Sequence, residues 1–195
     1  MRYRAPFAAL LLCGTLSATP LLADTVTDTF RNLVDQQGNI SLPENFRTTW
    51  THLGSYAVGN AGMNDTNAPA MDLHQVYTQP ESIRYYREHG EFPDGAVLVK
   101  TVSGTESATL TTGQAHYQAD TKVTFVMVKD RRQRFPDNSA WGEGWGWALF
   151  NGEQPGKSQT TDWKGEGFSN CHGCHLPAKD NDWVYTQGYR KLLSH

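Results

Sequence analysis

Five residues near the C-terminus, Cys171-His172-Gly173-Cys174-His175, restrict this chain more than any other stretch. Two thiols three positions apart, followed at once by a histidine, form the attachment pattern of a c-type haem. Each thiol can add to one vinyl group of a single porphyrin. The histidine beside the second thiol, His175, then stands under the iron with a neutral ring nitrogen as proximal ligand. Two other readings compete. A zinc site needs four protein ligands, and the chain has no second cysteine pair to complete one. A disulfide or redox pair would have no use for His175.

The first 23 residues do not read as part of the folded domain. Arg2 and Arg4 are followed by an apolar run from Phe7 to Leu12, and Leu21-Leu22-Ala23 ends in a small residue, as a signal-peptide cleavage site does. Gly14 and Pro20 interrupt the segment, which is short for a membrane span. A membrane anchor is the competing reading. Cys13 adds a lipoprotein reading, against which the bulky Leu12 argues. Cleavage after Ala23 would remove Arg2, Arg4 and Cys13, moving the formal charge from −3 to −5 and leaving Cys171 and Cys174 as the only cysteines. The expectation is a periplasmic protein with a single domain over 24–195 and no membrane span after processing. Export agrees with haem c, which bacteria attach outside the cytoplasmic membrane. The mild acidity gives no reason to expect a nucleic-acid partner.

Along the chain, Asp24 to Gln37 reads as an amphipathic helix with Phe30, Leu33 and Val34 on one face. Phe46 to Val58 is strand-like and residues 59–70 read as a loop. Met71 to Gln79 is a strand. Pro80-Glu81-Ser82 opens a helix that Gly90 ends. Phe92-Pro93-Asp94-Gly95 is a turn before a β-prone run, 96–102. Residues 103–121 suggest a loose hairpin, 123–128 a strand and 130–137 a charged turn. In the strand 144–150, Trp145 and Trp147 alternate against Ala148 and Phe150. Residues 151–167 read as a loop, 171–176 as a helical turn, and 182–193 as a closing helix with Asp182 as its cap. The fold class is α+β: four or five antiparallel strands with a few short helices, one sheet packing against the haem.

From Leu42 to Leu193 the chain resembles the cytochrome P460 family. The resemblance rests on Leu42-Pro43-Glu44-Asn45-Phe46-Arg47, Val76-Tyr77 with Pro80-Glu81-Ser82, and Gly90-Glu91-Phe92-Pro93-Asp94-Gly95 leading to Val99-Lys100. It continues through Val128-Lys129-Asp130, Arg134-Phe135, the cysteine motif, and Asp182-Trp183-Val184-Tyr185-Thr186 with Tyr189. The resemblance implies an exported mono-haem protein with a mostly antiparallel sheet, often a homodimer, and a five-coordinate iron. In named members a lysine is bonded to the porphyrin edge and hydroxylamine is oxidised to nitrogen oxides; as such an enzyme this chain would pass electrons to another cytochrome. The related cytochrome c′-beta binds nitric oxide and carbon monoxide and is thought to lack that bond.

On this pattern Lys100 falls on the cross-linking lysine, and strand alternation sets it on the face of Ala96 and Leu98. An ordinary strand lysine with its head in solvent is the competing reading. Phe125 falls where the family has a distal carboxylate, and His74 where it has a pocket arginine. Phenylalanine cannot accept the protons that hydroxylamine must shed, whereas imidazole can titrate near neutrality. The two changes weaken the enzyme reading and favour a gas-binding pocket. A six-coordinate electron carrier is the alternative, with Met63, Met71, Met127, His52, His89 and His116 as candidate sixth ligands. Arg131, Arg132 and Arg134 are candidates to pair with haem propionates, against the more common solvated charged turn; Trp141, Trp145 and Trp147 are candidates to line the pocket, against simple sheet packing.

Overall fold

A computed structural model describes residues 21–59, 72–152, 156–165 and 171–193, with backbone only for 21–25. The loop expected over 59–70 and the sixth-ligand candidates Met63 and Met71 lie almost entirely outside these residues, as does most of the expected signal segment.

One antiparallel sheet forms the frame. Its strands are β1 (Thr51–Val58), β2 (Asp72–Thr78), β3 (Val97–Leu110), β4 (Gly113–Lys129), β5 (Trp141–Gly142) and β6 (Trp145–Asn151), in the order β1-β2-β3-β4-β6-β5. Strict alternation gives the sheet two different faces. Leu53, Val76, Leu98, Met127, Trp145 and Trp147 point one way; Tyr77, Val97, Val99, Val126, Val128, Ala148 and Phe150 point the other. The expected split of Trp145 and Trp147 from Ala148 and Phe150 is therefore observed.

Each face has its own cover. The N-terminal helix α1 (Leu21–Leu33), the short α2 (Phe46–Thr49) and the turn between them cover the second face with Phe30, Val34, Ile40, Leu42 and Phe46. The first face is covered by Ile83 and Tyr86 of α3 (Pro80–His89), by Phe92, and by C-terminal Trp183, Val184, Tyr189 and Leu192. Proline at its first turn and left-handed Gly90 (φ 74°) bound α3 as expected. No helix among the described residues is long and apolar enough to cross a membrane.

Four boundaries differ from expectation. The first helix begins at Leu21, ahead of the cleavage point, and stops at Leu33 rather than Gln37. The Asp35 carboxylate accepts bonds from the backbone N–H groups of Gln37 and Asn39, which closes a turn instead of a further helical one. Residues 46–49 are helical, not strand, because the hydroxyls of Thr48 and Thr49 both bond the Asn45 carbonyl. Residues 103–121 do form a hairpin, but as a continuous two-stranded ribbon with register shifts around Ser103 rather than a loose one. Cross-strand pairs such as Ser107–His116 and Thr109–Gln114 carry the ladder past the ends of β2 and β6.

The closing helix is the largest difference. Only α5 (Arg190–Leu193) is α-helical there, and Asp182 ends a 3-10 helix over Leu176–Asn181 instead of starting a helix. The segment 185–188 is tied to β1: the Tyr56 hydroxyl donates to the Tyr185 carbonyl and accepts from Gly188 N–H. A Cβ on Gly54 would sit 2.5 Å from the Gly188 carbonyl oxygen, so this approach requires glycine.

Candidate haem site

The helical turn α4 (Cys171–His175) brings the two thiols and the histidine to the first face of the sheet. There they line one cavity of about 380 Å³ with Lys100 of β3, Phe125 of β4, Trp147 and Leu149 of β6, and the loop from Gln159 to Gly165.

His175 is the most completely positioned of these groups. Its Nδ1 lies 2.7 Å from the Trp183 carbonyl oxygen. A carbonyl only accepts, so Nδ1 carries the proton and Nε2 is left with the lone pair. Burial drives the imidazole pKa down to about 4, against the pull of the Trp183 carbonyl, with Lys100 adding to the drop. The ring is held between Trp147, edge-on at 4.9 Å, and Tyr185, tilted at 5.8 Å. Tyr185 in turn donates from its hydroxyl to the Cys174 carbonyl at 2.7 Å. A neutral, single-tautomer imidazole is the form that ligates a metal.

Lys100 and Phe125 are register partners on β3 and β4, and the lysine Nζ lies 4.4 Å from the centre of the phenyl ring. Alternation carries Lys100 to the cavity side, as expected. Desolvation pushes its amine below the usual lysine range, and the two cysteines act in the opposite direction. His74 is partly buried on the same face, opposite Val102, and does not line the cavity. Its pKa is lowered first by desolvation and then by Lys100.

The family model for cytochrome P460 matches residues 43–186 of the 195. The chain belongs to the cytochrome P460 family. No match was found among curated proteins. Membership implies a haem cofactor in a cytochrome of the haem c kind. The residues present fit one: two cysteines and an oriented neutral histidine share a cavity with the apolar Phe125, Trp147 and Leu149 and the polar Thr160 and Thr161. Trp147 lines that cavity, and its Nε1 is buried without a hydrogen-bond partner among the described residues. Among the described residues, no three His, Cys, Asp or Glu side chains cluster as they would to hold a bare metal ion.

In this P460 chain the charged turn keeps its arginines on the protein's own carboxylates, and the three tryptophans divide between the two faces. Arg131 pairs with Glu91 at 2.6 Å, Arg132 with Asp94 at 3.3 Å, and Arg134 with Asp94 and Asp130. Arg134 also stacks over Phe30, on the face away from the cavity. These arginines have carboxylate partners within their own turn and its neighbours. Trp141 packs with Phe30 and Phe135 on that far face. Trp145 is on the cavity side but is buried against Phe92, its N–H on the Asp182 carbonyl. Of the three, Trp147 alone lines the cavity with the motif.

The described sixth-ligand candidates are also elsewhere. Met127 is core, His52 lies against Tyr77 on the other face, His89 stacks on Tyr85, and His116 bonds Ser107 on the ribbon. His172, the variable residue of the motif, packs against Trp163 and Trp183.

Sequence reasoning missed two contributors. Trp163 lies in what read as a polar loop, yet it is buried, stacks parallel on Trp147 at 5.2 Å and meets Trp183 edge-on at 5.3 Å. Gly142 makes room for it, since a Cβ there would lie 2.2 Å from the Trp163 Nε1. The Trp183 carbonyl is a backbone acceptor, which no side-chain motif announces.

Proposed function

We propose that this chain is an exported, periplasmic mono-haem c cytochrome that binds a small nitrogen ligand such as nitric oxide. In this reading Cys171 and Cys174 form the thioethers, His175 is the proximal ligand, and Lys100 lies at the porphyrin edge. The observation that carries the reading is the hydrogen bond from His175 Nδ1 to the Trp183 carbonyl, in a cavity that both cysteines line. That bond orients the ring and raises its basicity as a ligand. Haem bound there would supply an open coordination position and a change of iron oxidation state.

The protein's own groups decide between binding and oxidation. Hydroxylamine must lose protons as it loses electrons, and a base within reach contributes on the order of 10²–10⁴-fold. Phe125 offers none. Among the described residues that line the cavity, the one carboxylate is Asp162, which is exposed and bonds the Lys164 N–H. The phenyl ring and the partly buried amine instead favour a small, uncharged ligand. Hydroxylamine oxidation, with another cytochrome as electron acceptor, is the second reading; it would need a proton relay to His74, which lies on the same face but does not line the cavity. The family habit of dimerising extends the proposal to a homodimer. A six-coordinate electron carrier finds less support, because no described methionine lines the cavity.

The covalent part has a direct test. Cys171→Ala combined with Cys174→Ala is expected to abolish haem staining of the denatured protein on a gel. A stained band from the double variant would overturn the attachment.

A further inference from the structure

We propose that Lys129 is a positioning residue for the iron ligand, acting through Asp182 on the carbonyl that holds His175. The inference rests on the reading of His175 as proximal ligand. Lys129 is 6% exposed, and its Nζ ion-pairs with an Asp182 carboxylate oxygen while lying 4.6 Å from the centre of the Trp145 ring. The same Trp145 donates its N–H to the Asp182 backbone carbonyl at 3.0 Å, and Phe92 N–H reaches the second carboxylate oxygen at 3.4 Å. Asp182 is thus gripped by β4, by β6 and by the turn before β3.

The grip coincides with backbone strain. Asp182 (φ 53°) and Trp183 (φ 63°) are both left-handed, and neither is glycine. An aspartate tolerates that region; a tryptophan in it is unusual and costs free energy unless its surroundings hold it there. The strained pair turns the chain so that the Trp183 carbonyl meets His175 Nδ1 at 2.7 Å. The backbone N–H groups of Asp182 and Trp183 both bond the Ala178 carbonyl, and the Trp183 ring packs on Trp163. The ion pair adds the charged hold on the Asp182 side chain. A buried ion pair adds little net stability over apolar residues of similar volume, so its contribution here is position. Through Asp182 and the Trp183 carbonyl, Lys129 sets the strength of the His175 N–H bond and hence electron donation from Nε2 to the iron.

Resonance Raman spectra of the ferrous holoprotein read this directly in the iron–histidine stretching band. Lys129→Met is expected to shift the band to lower frequency and broaden it, as the released turn weakens the Nδ1 hydrogen bond. Lys129→Arg is expected to retain the wild-type band. Lys129→Met combined with Asp182→Gly should return it towards wild type, because glycine adopts φ near +53° without steric cost. Where Lys129→Met does not accumulate, Lys129→Gln carries the same expectation. A purely structural role would lower the melting temperature of the single variants and leave the band in place, and that result overturns the proposal. A double variant displaced as far as the single one also overturns it. A wild-type protein with no iron–histidine band overturns the reading of His175 as the ligand of a five-coordinate iron, and this inference with it.

Discussion

A phenyl ring sits 4.4 Å from the amine of Lys100 where a proton-accepting group would serve hydroxylamine chemistry. Because positions 100 and 125 are register partners, any side chain introduced at 125 faces the same cavity. Phe125→Glu is therefore expected to raise hydroxylamine turnover from a weak or absent wild-type level, by about 10²–10⁴-fold if the new carboxylate acts as a base. A steady-state assay of both proteins checks it; fast turnover by the wild type contradicts the assignment. Lys100 itself has the surroundings that favour the neutral, nucleophilic amine. The expected outcome of a proteolytic digest is that Lys100 is recovered only in a peptide joined to haem and to Cys171–Cys174. Full recovery of a free Lys100 peptide would move the chain to the cytochrome c′-beta side of the family. His74 adds a pH signature. Its folded pKa is lowered from 6.5 by desolvation and by Lys100, so the unfolded chain takes up the proton first. The stability it contributes is full above about pH 6.5 and is lost as pH falls towards the lower folded value. Thermal melts from about pH 7.5 to about pH 5 should show a smaller acid loss for His74→Gln than for the wild type.

At the scale of elements, the site depends on close approaches that leave no room for a methyl group. Gly142 on β5 lies against the Trp163 ring, and the Trp163–Trp147 stack braces the edge-on contact to His175. Gly142→Ala is expected to cost about 1–3 kcal/mol by overpacking and to lower the melting temperature by a few degrees, with a change in the near-ultraviolet dichroism of the tryptophans. An unchanged melt and spectrum would show that the loop is not held by this stack. Legibility followed the same division. Alternation along β3 and β6 told which face takes Lys100, Trp145 and Trp147, because a strand has a period that a reader can count. Trp163 was illegible because its loop has no period, and its burial comes from β5 and β6 twelve or more residues away. Asp182 looked like a helix cap because its residue type suits one; its pairing with Lys129, fifty-three residues distant, is tertiary. The carboxylates that capture Arg131, Arg132 and Arg134 come partly from the turn before β3, which the sequence order alone did not bring beside them.

For the whole molecule, one sheet separates two tasks. The N-terminal layer buries apolar side chains against one face, and the C-terminal layer, from α4 to α5, closes over the other and carries the haem motif. The cytochrome P460 match over residues 43–186 spans both faces of the sheet and includes the motif. The central claim is an iron held by His175 with its sixth position open. Electron paramagnetic resonance of the ferric protein at neutral pH tests it most directly. A high-spin signal that gives way when nitric oxide is added is the predicted result. A clean low-spin signal of methionine- or bis-histidine-ligated haem before any addition would contradict the account and identify an electron carrier instead.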